Sequence, residues 1–224
     1  MCAGAPETIV EIGPGQGALT EYLLRGGAHV HAIELDPAMV ERLARRFPDH
    51  PRLTVHPADV LDVDLAQWGP AALAGNLPYY ITSPILERIR RARTAIASST
   101  LLIQKEVADR LVAGPGSRDY GYLTVLTQSW AEARLVVNVP PGAFRPPPKV
   151  DSAVVHLQAL PEVAPDLEPF LKFAGLAFRQ KRKNLRNNLG QAYPQADWDA
   201  LPERTLRAEQ LSIPQLRELW RKLS

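Results

Sequence analysis

Hydrophobic positions in the first half of the chain fall into short β-branched runs alternating with stretches of helical period. "TIVEI" reads as a strand, the glycines after it as a turn, and "ALTEYLL" as a helix. "HVHAIELD" is a second strand, and "PAMVERLARRF" a helix opened by Pro37 at its first turn. "LTVHPADV" is a third strand and "AALAGN" a short fourth. "SPILERIRRA" follows as a helix, "STLLIQ" as a fifth strand and "KEVADRLVA" as its helix. Strands alternating with helices predict an α/β fold, a parallel sheet covered on both faces.

The pattern then changes. "YLTVLTQSW" reads as helical. "ARLVVNV" and "VDSAVVHLQ" read as strands joined by the proline-dense "PPGAFRPPPK", which predicts an antiparallel addition at one sheet edge. "LPEVAPDLEP" is a linker. Beyond it Phe170, Phe173, Ala174, Ala177 and Phe178 make a helical stripe, and "SIPQLRELWRKL" another helix. The expected domains are 1–160, α/β, and 161–224, a small all-α domain of about three helices. No internal repeat or low-complexity tract interrupts either.

The 224 residues, 46% hydrophobic, suffice for one substantial core and a small second domain. The single cysteine, Cys2, excludes an internal disulfide and metal sites built from cysteine pairs. His29, His31, His50, His56 and His156 lack helical metal spacing, so no metal is expected, and His29 and His31 read as core or surface filling. No secretory signal and no membrane-length apolar run is visible, and a cytoplasmic protein is expected. Residues 1–160 carry 15 Lys/Arg and 16 Asp/Glu, a net of −1; residues 161–224 carry 11 and 8, a net of +3. The excess gathers in "FRQKRKNLR", with Arg179, Lys181, Arg182, Lys183 and Arg186. Such a cluster reads either as a solvated helix face or as a grip on phosphates.

Gly13, Gly15 and Gly17 in "EIGPGQG" let the chain turn sharply after the first strand and let a ligand approach the backbone. The spacing is G-x-G-x-G, not the G-x-G-x-x-G of dinucleotide enzymes. Glu34 closes the second strand, where a carboxylate accepts from ribose hydroxyls. Asp59 closes the third and suits an adenine amine, with the Val60 backbone beside it. Each acid alone reads equally as a cap or a surface charge; the ordered trio of strand ends favours nucleoside binding.

"GNLPYYITSPI", from Gly75, puts turn residues where two aromatic rings arrive. An amide beside stacking rings suits a flat, hydrogen-bonding ligand. Tyr80 reads as a core residue. Arg88, Arg90, Arg91 and Arg93 in "RIRRAR" read as a solvated helix face ahead of a phosphate contact.

"EIGPGQGALT", "AIELD", "ADVLD", "GNLPYYITSPI", "QKEVADRL", "FRPPPKVDSAV" and "KRKNLRNNL" appear in that order. Together they resemble the bacterial 16S rRNA adenine-N6,N6-dimethyltransferases over nearly the whole chain. The resemblance implies a Rossmann-like S-adenosylmethionine-dependent methyltransferase sheet with a small all-α C-terminal domain. It implies dimethylation of two adjacent adenines in a 3′-terminal hairpin of small-subunit rRNA, during ribosome biogenesis, by a monomer acting on the immature small subunit away from any membrane. It places Glu11, Gly13, Gly15, Gly17, Glu34, Leu35, Asp59, Val60 and Asn76 around the cofactor. Asn76, Leu77, Pro78 and Tyr79 become the catalytic motif, with Phe144 covering the target base. Arg179, Lys181, Arg182, Lys183 and Arg186 become RNA contacts. Family members also carry a Gly-Gln-x-Phe-Leu segment before the first strand that closes over the cofactor; the sequence lacks it, and weaker cofactor capture is expected.

Alternative readings are a large-subunit rRNA adenine dimethyltransferase, which shares the cofactor site, and a non-catalytic RNA-binding or ribosome-assembly factor on the same fold. The Asn-Leu-Pro-Tyr and Phe-x-Pro-x-Pro-Lys-Val wording favours the small-subunit branch, and Asn76 with Tyr79 favours catalysis. A dinucleotide oxidoreductase fits least.

Overall fold

A computed structural model describes residues 8–145 and 147–224. Cys2, the segment before the first strand and Pro146 of the proline-dense loop lie outside the described residues. In chain order the elements are β1 (Thr8–Ile12), α1 (Ala18–Arg25), β2 (His29–Glu34), α2 (Pro37–Arg46), β3 (Leu53–Pro57), β4 (Ala71–Asn76), α3 (Thr82–Arg91), β5 (Ile96–Gln104) and α4 (Lys105–Val112). They continue as α5 (Tyr122–Gln128), β6 (Ala131–Val139), β7 (Ser152–Ala159), α6 (Leu167–Ala177), α7 (Leu185–Leu189) and α8 (Ile213–Leu223). No described helix is long and apolar enough to cross a membrane.

The strands form one seven-stranded sheet in the order β3-β2-β1-β4-β5-β7-β6. β1 to β5 pair in parallel, and β7 joins β5 antiparallel. The edge addition expected from the sequence is therefore present. Val10, Ala32, Leu101, Ile103, Ala153 and Val155 supply the sheet's buried side chains. Their β-branched and small residues suit strands covered on both faces. β3 and β6 are the edge strands, and Leu135, Val136 and Val137 on β6 are exposed.

Strand order reverses at β1, with β2 and β3 on one side and β4 and β5 on the other. That reversal opens a crevice at the carboxyl ends of the strands, where open α/β sheets bind ligands. The register brings Ile33, Ile12, Gly75 and Leu101 abreast across the sheet. Glu34, Gly13 and Asn76 are the next residues on their three strands, so all three reach the same edge.

The chain divides into two compact units. The first takes the described residues up to Ala108 with Glu132–Ala159; the second takes Asp109–Ala131 with Leu160–Ser224. Within the second, Phe170 and Phe173 are buried on α6, and Phe170 packs against Trp220 of α8. Arg217 lies over the Phe170 ring, 4.1 Å from its centroid, and donates to Asp166 at 2.7 Å. Tyr120 packs on Phe178 in the same unit, its ring centroid 6.0 Å away.

Three expectations change. Tyr80 is 84% exposed, so it is not a core residue. It follows Tyr79 in a 3₁₀ turn, Tyr79–Ile81, where each residue is rotated by a third of a turn and neighbours point apart. "RIRRAR" is not simply a solvated face. Arg90 is buried and grips Glu87 through two nitrogens at 2.7 and 2.9 Å, and Arg88 donates to the Val63 carbonyl. Asp59 lies two residues past the end of β3, in the following turn. Its Oδ1 accepts from the Leu61 amide at 2.9 Å. Among the histidines, His31 stacks on Trp68 and His56 packs tilted against it, the two imidazoles joined by a 3.1 Å hydrogen bond.

Candidate active site

The glycine turn is built for close approach. Gly13, Gly15 and Gly17 all have positive φ (65°, 54° and 79°), a region that side chains disfavour. A Cβ on Gly13 would lie 3.6 Å from the Asn76 carbonyl oxygen. The turn after β1 and the motif after β4 therefore border one crevice. Gly75 is required for the same reason: a Cβ there would sit 2.8 Å from the Ile12 carbonyl oxygen.

Glu34 is nearly buried, and each of its oxygens accepts one backbone amide, Gly15 at 3.0 Å and Asp36 at 2.9 Å. A carboxylate has about four acceptor sites, so two remain for a ligand's hydroxyls while the amides fix its orientation. Leu35, the next residue, is 64% exposed and offers a bare apolar side chain beside it. Asp59 is half-buried and Val60 buried. This donor and acceptor set, with backbone open at the glycines, fits an adenosine-type cofactor.

Glu11 sits beneath the turn rather than at its mouth. It is 1% exposed and accepts from Thr20 Oγ1 on α1 at 2.7 Å. Burial pushes its carboxyl up to about 7, opposed by the Thr20 hydrogen bond and aided by the nearby Glu34 charge.

Asn76 is exposed at the end of β4, and its side-chain amide has no hydrogen bond among the described residues. Leu77 is buried, its amide bonded to the Leu102 carbonyl at 3.0 Å. That bond anchors the backbone at Leu77, and the Leu77 carbonyl, in the next peptide, is not consumed by a hydrogen bond among the described residues. Asn76, Leu77, Pro78, Tyr79, Phe144 and Pro148 line a cavity of about 220 Å³. The predicted catalytic motif and the predicted cover from the proline-dense loop thus meet at one cavity.

One contributor was not anticipated. The Tyr79 hydroxyl is 2.7 Å from Ser152 Oγ, at the start of β7. Ser152 is fully buried, and the bond pins the ring that lines the cavity. The only trace of it in the sequence is the serine closing "FRPPPKVDS".

Arg179, Lys181, Arg182 and Lys183 occupy the connection between α6 and α7, not a helix face, and Arg186 lies on α7. Lys181 donates to the Arg118 carbonyl, and Arg186 pairs with Asp199 at 2.9 Å. Arg179, Arg182 and Lys183 are exposed and unpaired among the described residues.

A family model described as ribosomal RNA adenine dimethylase matches residues 5–217. The chain belongs to the ribosomal RNA adenine dimethylase family. Among the dimethylase's relatives, a protein of Acidobacterium capsulatum named ribosomal RNA small subunit methyltransferase A is 44% identical, over 96% of this chain and 81% of that one. A protein of the same name from Xanthomonas euvesicatoria is 44% identical, over 93% and 82%. The dimethylase fold is shared with a dimethyladenosine transferase from Plasmodium falciparum, at TM-score 0.79 and 23% identity over 98% of this chain and 91% of that one. It is shared too with the 23S rRNA methyltransferase ErmE, at TM-score 0.75 and 29% identity over 96% and 90%. The fold is therefore the Rossmann-like one of S-adenosylmethionine-dependent methyltransferases, and the chain is that of an rRNA adenine dimethyltransferase.

Proposed function

We propose that this chain dimethylates N6 of two adjacent adenines in small-subunit rRNA, working in the cytoplasm on the immature small ribosomal subunit. The supporting observation is the junction of Gly13 with the Asn76 carbonyl, which sets a nucleoside-binding turn against a cavity walled by Tyr79 and Phe144. The shared name of the sequence relatives favours the small-subunit branch over the large-subunit one.

Glu34, Leu35, Asp59 and the glycine backbone would hold S-adenosylmethionine, with Glu11 supporting the turn from below. The cofactor supplies, when bound, an electrophilic methyl group on sulfur. The protein's task is to present the adenine. Adenine N6 is a poor nucleophile because its lone pair is delocalised into the ring. The Asn76 amide oxygen and the Leu77 carbonyl accept the two N6 hydrogens, which favours a pyramidal nitrogen and stabilises its developing positive charge. Both acceptors are free to do so. Tyr79 and Phe144 hold the extruded base, and stacking of roughly 1–3 kcal/mol per base offsets much of the unstacking cost. The methylated nitrogen is cationic and releases one N6 proton to solvent water; one N6 hydrogen then remains, so a single acceptor serves the second transfer while the new methyl lies at the other, and the last proton leaves in the same way. The exposed cations Arg179, Arg182 and Lys183 supply phosphate contacts.

The test is incubation of the protein with labelled S-adenosylmethionine and undermethylated small ribosomal subunits, followed by mapping of the modified base. Label on two adjacent adenines is the expected result. Label elsewhere, or none, rejects the reading.

A further inference from the structure

Tyr80 is left unused by the mechanism above. Its ring is 84% exposed, more than any other large hydrophobic side chain recorded among the described residues, and its hydroxyl has no partner there. A single exposed apolar side chain ordinarily means little. This one is the residue after Tyr79, on a 3₁₀ turn that sends the Tyr79 ring to the cavity wall and the Tyr80 ring to solvent. Arg145 and Lys149 follow the cavity-lining Phe144 and Pro148 in the proline-dense loop. Both are exposed and unpaired among the described residues. The turn and the loop that line the cavity thus also carry a bare aromatic ring and two bare cations.

Extruding a base leaves its neighbour in the strand without a stacking partner. A ring next to the cavity can replace that partner, and cations beside the cavity can take the phosphates that lead away from it. We propose that Tyr80 stacks on the nucleobase adjacent to the adenine held in the cavity, while Arg145 and Lys149 contact the flanking phosphates. This rests on the methyltransferase reading above and extends it. Because the two target adenines are neighbours, the base on Tyr80 is itself the next or previous substrate. Tyr80 therefore keeps the pair unstacked while one member is methylated.

The experiment compares wild type with Tyr80→Ala, Tyr80→Leu and Tyr80→Phe on undermethylated small subunits. It records KM for subunits, S-adenosylmethionine affinity, thermal midpoint and the fraction of subunits methylated at only one of the two adenines. Tyr80→Ala is expected to raise KM about tenfold or more and to enlarge the singly modified fraction, with cofactor affinity and thermal midpoint held. Tyr80→Leu, apolar but not planar, should behave like Ala, and Tyr80→Phe should restore the wild-type KM. Arg145→Gln with Lys149→Gln should raise KM mainly at low salt and flatten its salt dependence. If wild type modifies both adenines and Tyr80→Ala matches it, or Tyr80→Leu rescues as well as Phe, the stacking proposal is overturned alone. If Tyr80→Ala lowers the thermal midpoint, the Leu and Phe variants decide by the same criterion. A wild-type protein that methylates no subunit overturns the parent reading, and this one with it.

Discussion

The Tyr79 hydroxyl lies 2.7 Å from Ser152 Oγ, joining the turn after β4 to the first residue of β7. Two elements far apart in sequence thereby fix one ring of the cavity. Ser152→Ala should leave the tyrosine hydroxyl without its buried partner and cost about 1 kcal/mol of stability. Its larger effect should be on turnover, because a loosened ring presents the adenine badly. A double-mutant cycle with Tyr79→Phe checks this: the two changes should be clearly non-additive in kcat, and simple additivity would remove the proposed coupling.

Asn76→Ala should reduce methyl transfer by about a hundredfold or more, the scale seen when one preorganised polar contact is removed. Cofactor affinity should stay nearly intact, since in the proposed reading Glu34 and the glycine backbone carry that binding. Single-turnover rates and equilibrium binding measured on the same variant separate the two. Retained turnover would count against the N6-acceptor role.

Gly75→Ala tests the junction of the two halves of the crevice. The added methyl would meet the Ile12 carbonyl oxygen at 2.8 Å, and that oxygen belongs to the central strand and cannot swing aside. A loss of roughly 2 kcal/mol is expected from such overpacking. Activity should fall further than stability, because β1 and β4 must part just where Gly13 meets Asn76. Urea denaturation beside activity at a temperature where the variant is folded provides the comparison.

Glu11 predicts a pH dependence of stability. Its folded-state value is raised from 4.5 to about 7 by burial. Between those values the folded chain keeps a proton that the unfolded chain has lost. Stability therefore falls as pH rises from about 4.5 through about 7, by roughly 3 kcal/mol in all. Glu11→Gln still accepts from Thr20 but does not titrate, and it should flatten this slope. An unchanged slope in chemical denaturation between pH 4.5 and 8 would assign the dependence to other groups.

The basic segment that runs from the α6–α7 connection into α7 divides into free and engaged cations. Neutralising Arg179, Arg182 and Lys183 should weaken rRNA binding and lower its log–log salt slope by up to roughly 0.9 per cation. Arg186→Gln should mainly disturb the Asp199 pair, an exposed contact worth about 1 kcal/mol or less. Filter binding across a salt series distinguishes them, and an equal slope for wild type and the triple variant rejects the phosphate role.

Much of this was legible in the residues themselves. The alternation of β-branched runs with helical stripes, the glycine turn and the Asn-Leu-Pro-Tyr motif are local signals, because turn chemistry and hydrophobic period act over a few positions. They also carried the order of groups along the carboxyl edge of the sheet. Tyr80 and Arg90 depart from what their residue types suggest because burial is not a local property. The Tyr80 ring suits a core, yet a third of a turn in a 3₁₀ segment takes it to solvent. The Arg90 charge suits solvent, yet the helix sinks it and Glu87 neutralises it.

The sequence by itself determined the elements, their order and the chemical kinds of group at the strand ends, since each follows from short-range sterics and spacing. Only the tertiary structure decided which groups touch: Gly13 against the Asn76 carbonyl, Tyr79 on Ser152, and Glu11 sealed beneath the turn with its carboxyl shifted. Those outcomes depend on strand register and on the exclusion of water by distant residues, which no short stretch of chain encodes.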